Sequence, residues 1–370
     1  MSSPRVRVRA RRQAMTVAVT GAASPLGDQI VRALLARSAA GGAIGTVVGL
    51  DAERGPADGV HWRLVDLGSP DLAGSLRDVD ALIHIAASTD LEADLHQSAR
   101  VRRERAVRQI QTVVISAAAT RVSRLVVVTS AMTYGASPDN AVPLPEDAPL
   151  EADPDEGQVG DLLAVEQILR TAAEVHPGLA ITVVRPAALV GPSVDTVITR
   201  HFEAPRLLTV KGGCPAWQFC HVEDLATALV ATVELGLGPV VTVASPGWMT
   251  QGEVEVVSGM RRVELSESVA LGTAHRLHRV GILPSPATDL VYAVYPWAVS
   301  SATLVAAGWQ PAYDNVTCLG VLMDSIRGHH ALAARRVDRK DAALGAASAA
   351  VALVGTAAML RRHRRKGART

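Results

Sequence analysis

The residues whose types and spacing could do chemistry begin in "TVAVTGAASPLGDQIVRALL" (16–35), a short Val-rich run, a glycine turn and a helical pattern. Gly21 permits the tight turn there, the amides around Pro25 and Leu26 open the helix toward a phosphate, and Gly27 lets helix and strand pack closely. Such a site suits the pyrophosphate of a dinucleotide. Ser24 stands where the usual G-x-x-G-x-x-G spacing has its middle glycine. Its side chain must point away from a phosphate or donate its hydroxyl, so weakened cofactor binding is expected.

Further residues follow in register. Asp51 in "VVGLDAERG" ends the second strand candidate, where a carboxylate can hold both ribose hydroxyls and repel a 2′-phosphate. That favours NAD(H), while Arg54 close by leaves NADP(H) open. Asp66 and Leu67 in "VDL" end the third candidate, where the carboxylate can meet an adenine amino group. Ala86 and Ala87 in "HIAAS" are small, as a chain passing under an adenosine requires. Thr129 and Ser130 close the fifth candidate, "RLVVVTS", and Ser130 is placed to donate a hydrogen bond to a substrate oxygen. Tyr134 is the one tyrosine of this half. There is no H-E-x-x-H, no Cys/His metal spacing and no nucleophile elbow, so no metal site is expected.

The elements that must position these groups alternate. Strands are expected at 16–20, 45–50, 61–65, 80–86, 124–130 and 180–186, with helices at 26–38, 103–119 and 159–175 between them. Apolar strands spaced by helices indicate a doubly wound α/β architecture, a parallel sheet covered on both faces. Residues 135–157 form a Pro- and acid-rich loop without period, and a loop of that length is usually functional or mobile. Beyond 186 the pattern loosens around short helices at 222–235 and 314–326. The expected organisation is a basic leader (1–14), a nucleotide-binding domain (15–186), a smaller, partly interleaved substrate-side domain (187–328) and a basic tail (329–370).

Composition excludes some classes. Aromatic residues are 3% of the 370, too few for base-stacking surfaces, so specific nucleic-acid binding is not expected. Three cysteines without a CxxC pair fit a reducing cytoplasm. The net charge of +1 hides basic ends around an acidic centre. The leader lacks an apolar stretch and does not read as a secretory signal. In the tail, "AALGAASAAVALVGTAAML" (342–360) is uncharged, flanked by basic clusters and suited in length to a bilayer, but Ala-rich. The heavier C-terminal cluster would place the tail tip in the cytoplasm and the folded part outside, against a cytosolic cofactor. Three readings of 342–366 stay open: a membrane anchor, a helix lying on an anionic membrane surface, or a soluble packing helix.

Taken in order, "TGAASPLG", "LDAERG", "VDL", "HIAA", "VVVTSAMTYG", "VVRPAALVGP", "FCHVEDLA" and "AAGWQP" resemble the extended short-chain dehydrogenases/reductases of the NAD-dependent epimerase/dehydratase family over about 15–328. The resemblance implies a Rossmann fold, an NAD cofactor, a sugar-nucleotide-like substrate and a homodimer made by the helices flanking the fifth strand. It also implies a catalytic Ser, a Tyr, and a Lys four residues after the Tyr that lowers the Tyr pKa and holds the nicotinamide ribose. Ser130 matches the Ser. Aligning the family helix on Glu166 puts Gln158 at the Tyr position and Leu162 at the Lys position, and Val107 where a structural Asn is usual.

No slip of register restores the pair, because the lysines are Lys211, Lys340 and Lys366. Three functions follow: a dinucleotide-binding sensor, scaffold or partner subunit without the usual chemistry; an epimerase, dehydratase or oxidoreductase with a relocated acid at Tyr134, Asp155, Glu156 or Asp161; or a membrane-associated structural component. Elsewhere, His221 before a helix is expected to tie the two domains. Arg200, Arg206 and Lys211 are expected on a solvated face, with phosphate binding as the alternative. The His329–His330 pair is not expected to bind metal.

Overall fold

Seven strands, most of them rich in Val and Ile, align side by side in a single parallel sheet of the computed structural model. It describes residues 14–279 and 287–327 with short strands at 331–332 and 335–336. Residues 1–13 of the leader, His329–His330 and the apolar run 342–360 lie outside the described residues. In chain order the first elements are β1 (Met15–Thr20), α1 (Pro25–Ala39), β2 (Ile44–Asp51), β3 (His61–Leu64), α2 (Leu72–Ser75), β4 (Ala81–Ile85), α3 (Leu91–Leu95), α4 (Ala99–Ala119), β5 (Arg124–Val128), α5 (Gln158–Val175) and β6 (Ala180–Pro186). Then come β7 (Ala188–Val190), α6 (Val197–Glu203), β8 (Leu207–Val210), β9 (Phe219–His221), α7 (Val222–Leu235), β10 (Val240–Val243), α8 (Gln251–Ser258), β11 (Arg262–Leu265), α9 (Glu267–Arg279), α10 (Ala302–Ala306) and α11 (Asn315–Ser325).

The sheet order is β3-β2-β1-β4-β5-β6-β10, every neighbouring pair parallel. Chain direction across the sheet reverses between β1 and β4, and a crevice opens there at the carboxyl ends of the strands. Strands such as β1 and β5 are buried on both faces, which is why they read as apolar runs. One core layer forms under α1 and α7 and the other under α4 and α5. α1 buries Leu26, Ile30, Val31 and Leu34, the 3–4 spacing of one helical face.

The latter part of the chain is not separate from this sheet. α7 packs on α1, and β10 adds the seventh strand beside β6, an element too short to stand out in the sequence. Around them, β7 pairs with β9 and β8 with β11 in two small parallel sheets. The 135–157 loop is pinned at several points. Leu144 N–H donates to Ala298 O (2.7 Å), Ser300 N–H returns to Leu144 O (3.0 Å), and the Glu146 carboxylate accepts from Thr242 N–H (3.1 Å). Its Pro-rich path serves to lock the sheet edge to the C-terminal segment. Among the described residues no helix is long and apolar enough to cross a membrane.

Candidate functional site

The glycine turn has the geometry its residues require. Gly21 adopts φ +66°, and a Cβ on Gly27 would lie 2.0 Å from Gly21 O. Ser24 resolves its departure from the glycine pattern locally: its hydroxyl donates to Gly21 O (2.7 Å) and accepts from Gly27 N–H (3.0 Å), capping α1. Pro25 has no N–H and Gly27's is capped, so Leu26 supplies the first-turn amide at the cavity edge. Asp51 ties β2 to this turn, accepting from Ala23 N–H (2.9 Å) and from Ala52 N–H (2.7 Å).

Two adjoining cavities share Ala87 and Ser88. The outer one, about 560 Å³, lies over Gly21, Ser24, Pro25 and Leu26 and is walled by residues 88–90, Glu92 and residues 193–195. The inner one, about 120 Å³, is reached past Ala86 and lined by Thr129 and Ser130 from the end of β5 and by Gln158 and Leu162 from the first turns of α5. The structure therefore gathers Gly21, Ser24, Pro25, Leu26, Ala86, Ala87, Thr129 and Ser130 around one cleft. Gly27 supports it from beneath. Asp51, Arg54, Asp66 and Leu67 lie outside both cavities; Arg54 and Asp66 are exposed, and Asp66 accepts from Gly68 N–H (2.8 Å).

Tyr134 is not brought to the cleft. It is buried (2% exposed), its hydroxyl donates to Glu146 O (2.6 Å), and the Arg185 guanidinium lies 4.6 Å from its ring centroid. Burial pushes its pKa up, away from useful acid–base range. Arg185 belongs to a buried pair with Glu166 (2.6 Å), and Glu166 also accepts from Thr129 (2.8 Å). The Glu166 that fixes the family register is thus a core residue of β5, β6 and α5.

What surrounds Gln158 is a hydrogen-bonded ionic wall. Asp161, 5% exposed, is clasped by Arg102 Nε (2.6 Å) and Arg103 Nε (2.8 Å). Gln158 Nε2 donates to the buried Asp94 (2.6 Å), and Arg105 approaches the same carboxylate at 3.7 Å. Arg102 and Arg103 also reach the backbone carbonyls of Glu156 and Asp155. Asp161 is thereby an acceptor within a helix–helix clasp. The contributions of Asp94, Arg102, Arg105 and Gln109 to the inner cavity were not anticipated. The signal was the Arg-rich opening of α4 after a buried-type Asp, legible only once α4 and α5 are known to be neighbours.

The remaining sequence candidates fall outside the cleft or beneath it. His221 caps α7, its Nδ1 accepting from Glu223 N–H (3.3 Å), and stacks on Tyr313 at 3.7 Å; burial lowers its pKa. Arg200 is not on a solvated face: it is 1% exposed and makes short pairs with Asp195 (2.6 Å) and Glu92 (2.6 Å) behind the outer cavity. Desolvating a guanidinium requires such paired carboxylates, so it serves the wall. Arg206 and Lys211 are exposed.

A seven-stranded parallel sheet in this order, with a glycine turn at the switch point, defines a Rossmann-type protein of the α/β class. The chain belongs to the NAD-dependent epimerase/dehydratase family, whose model matches residues 17–243. An uncharacterised protein of Mycobacterium tuberculosis (strain ATCC 25618 / H37Rv) is 27% identical over 242 residues, 62% of each chain, so this chain spans about three fifths of that relative's length. A 3-diazoavenalumate denitrifying reductase of a Streptomyces species is 32% identical over 236 residues, 60% of this chain and 72% of the reductase. Among solved structures, UDP-N-acetylglucosamine 4-epimerase from Bacillus cereus superposes with TM-score 0.58 at 18% identity, covering 85% of this chain and 100% of that one. The dTDP-glucose 4,6-dehydratase DesIV from Streptomyces venezuelae, with NAD and TYD bound, gives 0.63 at 19% identity, covering 85% and 97%. These structures share the fold.

Proposed function

We propose that the cleft binds a nicotinamide dinucleotide and that the chain does not run the tyrosine/lysine chemistry of its family. The fit of the turn supports the first half. A Cβ at Gly27 would fill the close approach between helix and strand, and the N-terminal end of α1 presents an amide beside a cavity of about 560 Å³. Asp51 at the end of β2 supports NAD over NADP. A bound nicotinamide would supply hydride exchange.

The single observation that carries the second half is the first turn of α5. Gln158 and Leu162 line the inner cavity with Ser130, and Asp161 between them is clasped by two arginines. An amide cannot take up or release a proton near neutral pH, and a leucine can neither lower a neighbouring pKa nor hold a ribose. Ser130 is left to orient a substrate oxygen by hydrogen bonding. Loss of a positioned acid/base alone lowers rate by roughly 10²–10⁴-fold. The reading is a dinucleotide-binding sensor, scaffold or partner subunit.

A second reading, an NAD(P)-dependent reductase acting on something other than a sugar nucleotide, is favoured by the reductase name of the Streptomyces relative. Residues 187–328 then supply the substrate side, as a homodimer in the cytoplasm, with membrane contact, where present, made by 342–366. Titration calorimetry of the full chain with NAD(H) and NADP(H) tests the shared premise: heat with NAD(H) and weaker heat with NADP(H) is expected, and no heat with any of the four removes both readings. Turnover of UDP- or dTDP-hexoses is expected to be absent. Such turnover would remove the reading without catalysis.

A further inference from the structure

The charges in the wall of the inner cavity hold one another. The lining includes three carboxylates, Asp94, Asp161 and Asp289, and two guanidinium groups, Arg102 and Arg105. Arg102 pairs with Asp161 at 2.6 Å, Arg105 with Asp94 at 3.7 Å, and Asp289 has a partner of its own. A ligand carboxylate would be a fourth negative charge beside two cations already compensated, and away from bulk water such charges repel. The groups left open to a ligand are neutral. The Asp94 carboxylate, paired with Arg105, only accepts, so the end of Gln158 lying 2.6 Å from it is the NH2 group. Gln158 Oε1 then has no donor among the described residues. Ser130 Oγ accepts from Met132 N–H (3.2 Å), and its own hydrogen has no acceptor among them. The rest of the wall is largely apolar, with Leu162, Leu189 and Ile198.

We propose that the inner cavity selects an uncharged primary carboxamide and rejects the corresponding carboxylate, with Gln158 as the specificity-determining residue. Gln158 Oε1 accepts from the carboxamide N–H, which a carboxylate cannot offer, and the Ser130 hydroxyl donates to the carboxamide oxygen. The acceptor is fixed in direction. Turning the Gln158 amide over would set its oxygen against the Asp94 carboxylate and leave both without a donor, a cost that a buried pair does not recover. This inference rests on the dinucleotide reading and deepens it. With a pyrophosphate over the turn after β1 and the adenosine ribose on Asp51 at the end of β2, the ring that bears the carboxamide is directed the other way, toward β4 and β5. There the two cavities join at Ala87 and Ser88.

The test is calorimetric titration of the full chain with three ligands: NAD⁺, deamido-NAD⁺, in which a carboxylate replaces the carboxamide, and ADP-ribose, which lacks the ring. NAD⁺ is expected to bind at least about tenfold more tightly than deamido-NAD⁺, the ratio that one hydrogen bond lost in a buried site supplies. Gln158→Met keeps the length of the side chain and removes the acceptor. It should weaken NAD⁺ by about tenfold and leave ADP-ribose affinity unchanged, which a merely structural role for the residue would not do. Asp94→Asn no longer dictates which end of Gln158 faces it, and should lower the ratio between the two dinucleotides as well. Equal binding of NAD⁺ and deamido-NAD⁺ by the wild-type chain, or preference for deamido-NAD⁺, overturns the proposal whether or not the variants fold. A ratio unchanged in both variants overturns it too. Failure of all three ligands to bind removes the dinucleotide reading and this inference with it, whereas binding of all three without discrimination overturns this inference alone.

Discussion

At the residue scale, the glycine turn before α1 is held by exclusions as much as by bonds. Gly27 has no room for a side chain, because the nearest atoms are backbone, Gly21 O at 2.0 Å and Ala22 Cα at 2.7 Å, and cannot swing aside. Gly27→Ala should therefore destabilise the fold by about 3 kcal/mol, the scale of forced overpacking, and abolish calorimetric NAD(H) binding. Chemical denaturation of the variant measures the first effect. A second residue ties stability to pH. His84 on β4 is buried, its Nδ1 is 2.7 Å from the Thr20 hydroxyl, and desolvation lowers its pKa from 6.5 to about 4. As pH falls below 6.5 the unfolded chain takes up this proton before the folded one does. His84 thus contributes stability that is intact above pH 6.5 and is lost toward pH 4, about 3 kcal/mol over that window. Urea denaturation at pH 7 and pH 4 should show a correspondingly smaller loss in His84→Gln than in the wild-type chain.

At the element scale, much was legible. The six long strands and the helices at 26–38, 159–175 and 222–235 have one apolar period each, bounded by caps, and the structure places them within a few residues of those limits. β10 and the paired short strands β7, β8, β9 and β11 were not legible, since three or four residues carry no period and acquire their conformation from a partner distant in sequence. The site divides the same way. Glycine geometry and Ser24's cap are local, within residues 21–27; Tyr134's burial and the Arg102–Asp161–Arg103 clasp depend on which elements become neighbours. The outer face of α4 and α5 carries a related consequence. Ile115 and Val175 are each 63% exposed and flank a shallow groove with Val114 and Ile168. A partner copy covering this face would remove that apolar surface from water. Sedimentation equilibrium is expected to show a dimer at micromolar concentration, shifted toward monomer by Ile115→Glu. A wild-type monomer under those conditions removes the dimer proposal.

At the scale of the whole molecule, the sheet is completed only beyond residue 186. β10 hydrogen-bonds to β6 from Val240 to Val243, α7 covers α1, and Arg37 pairs with Glu234 at 2.8 Å. The larger core cluster draws Leu225, Leu229, Val233, Val241 and Val243 from beyond 186, together with Leu319 and Leu322 of α11. A fragment of residues 15–186 would expose the apolar face of α1 and leave β6 as an open edge, conditions that favour aggregation over folding. A chain ending at Arg327 keeps both core layers entire. The expected result is that 15–186 gives no cooperative thermal transition, whereas the chain ending at Arg327 melts within a few degrees of the full chain. The same pair of long chains tests the tail. Recovery of the full chain in a membrane fraction, with the truncated chain in the supernatant, would assign membrane contact to the C-terminal segment. Equal partition of the two would remove that contact and leave the segment a soluble packing role.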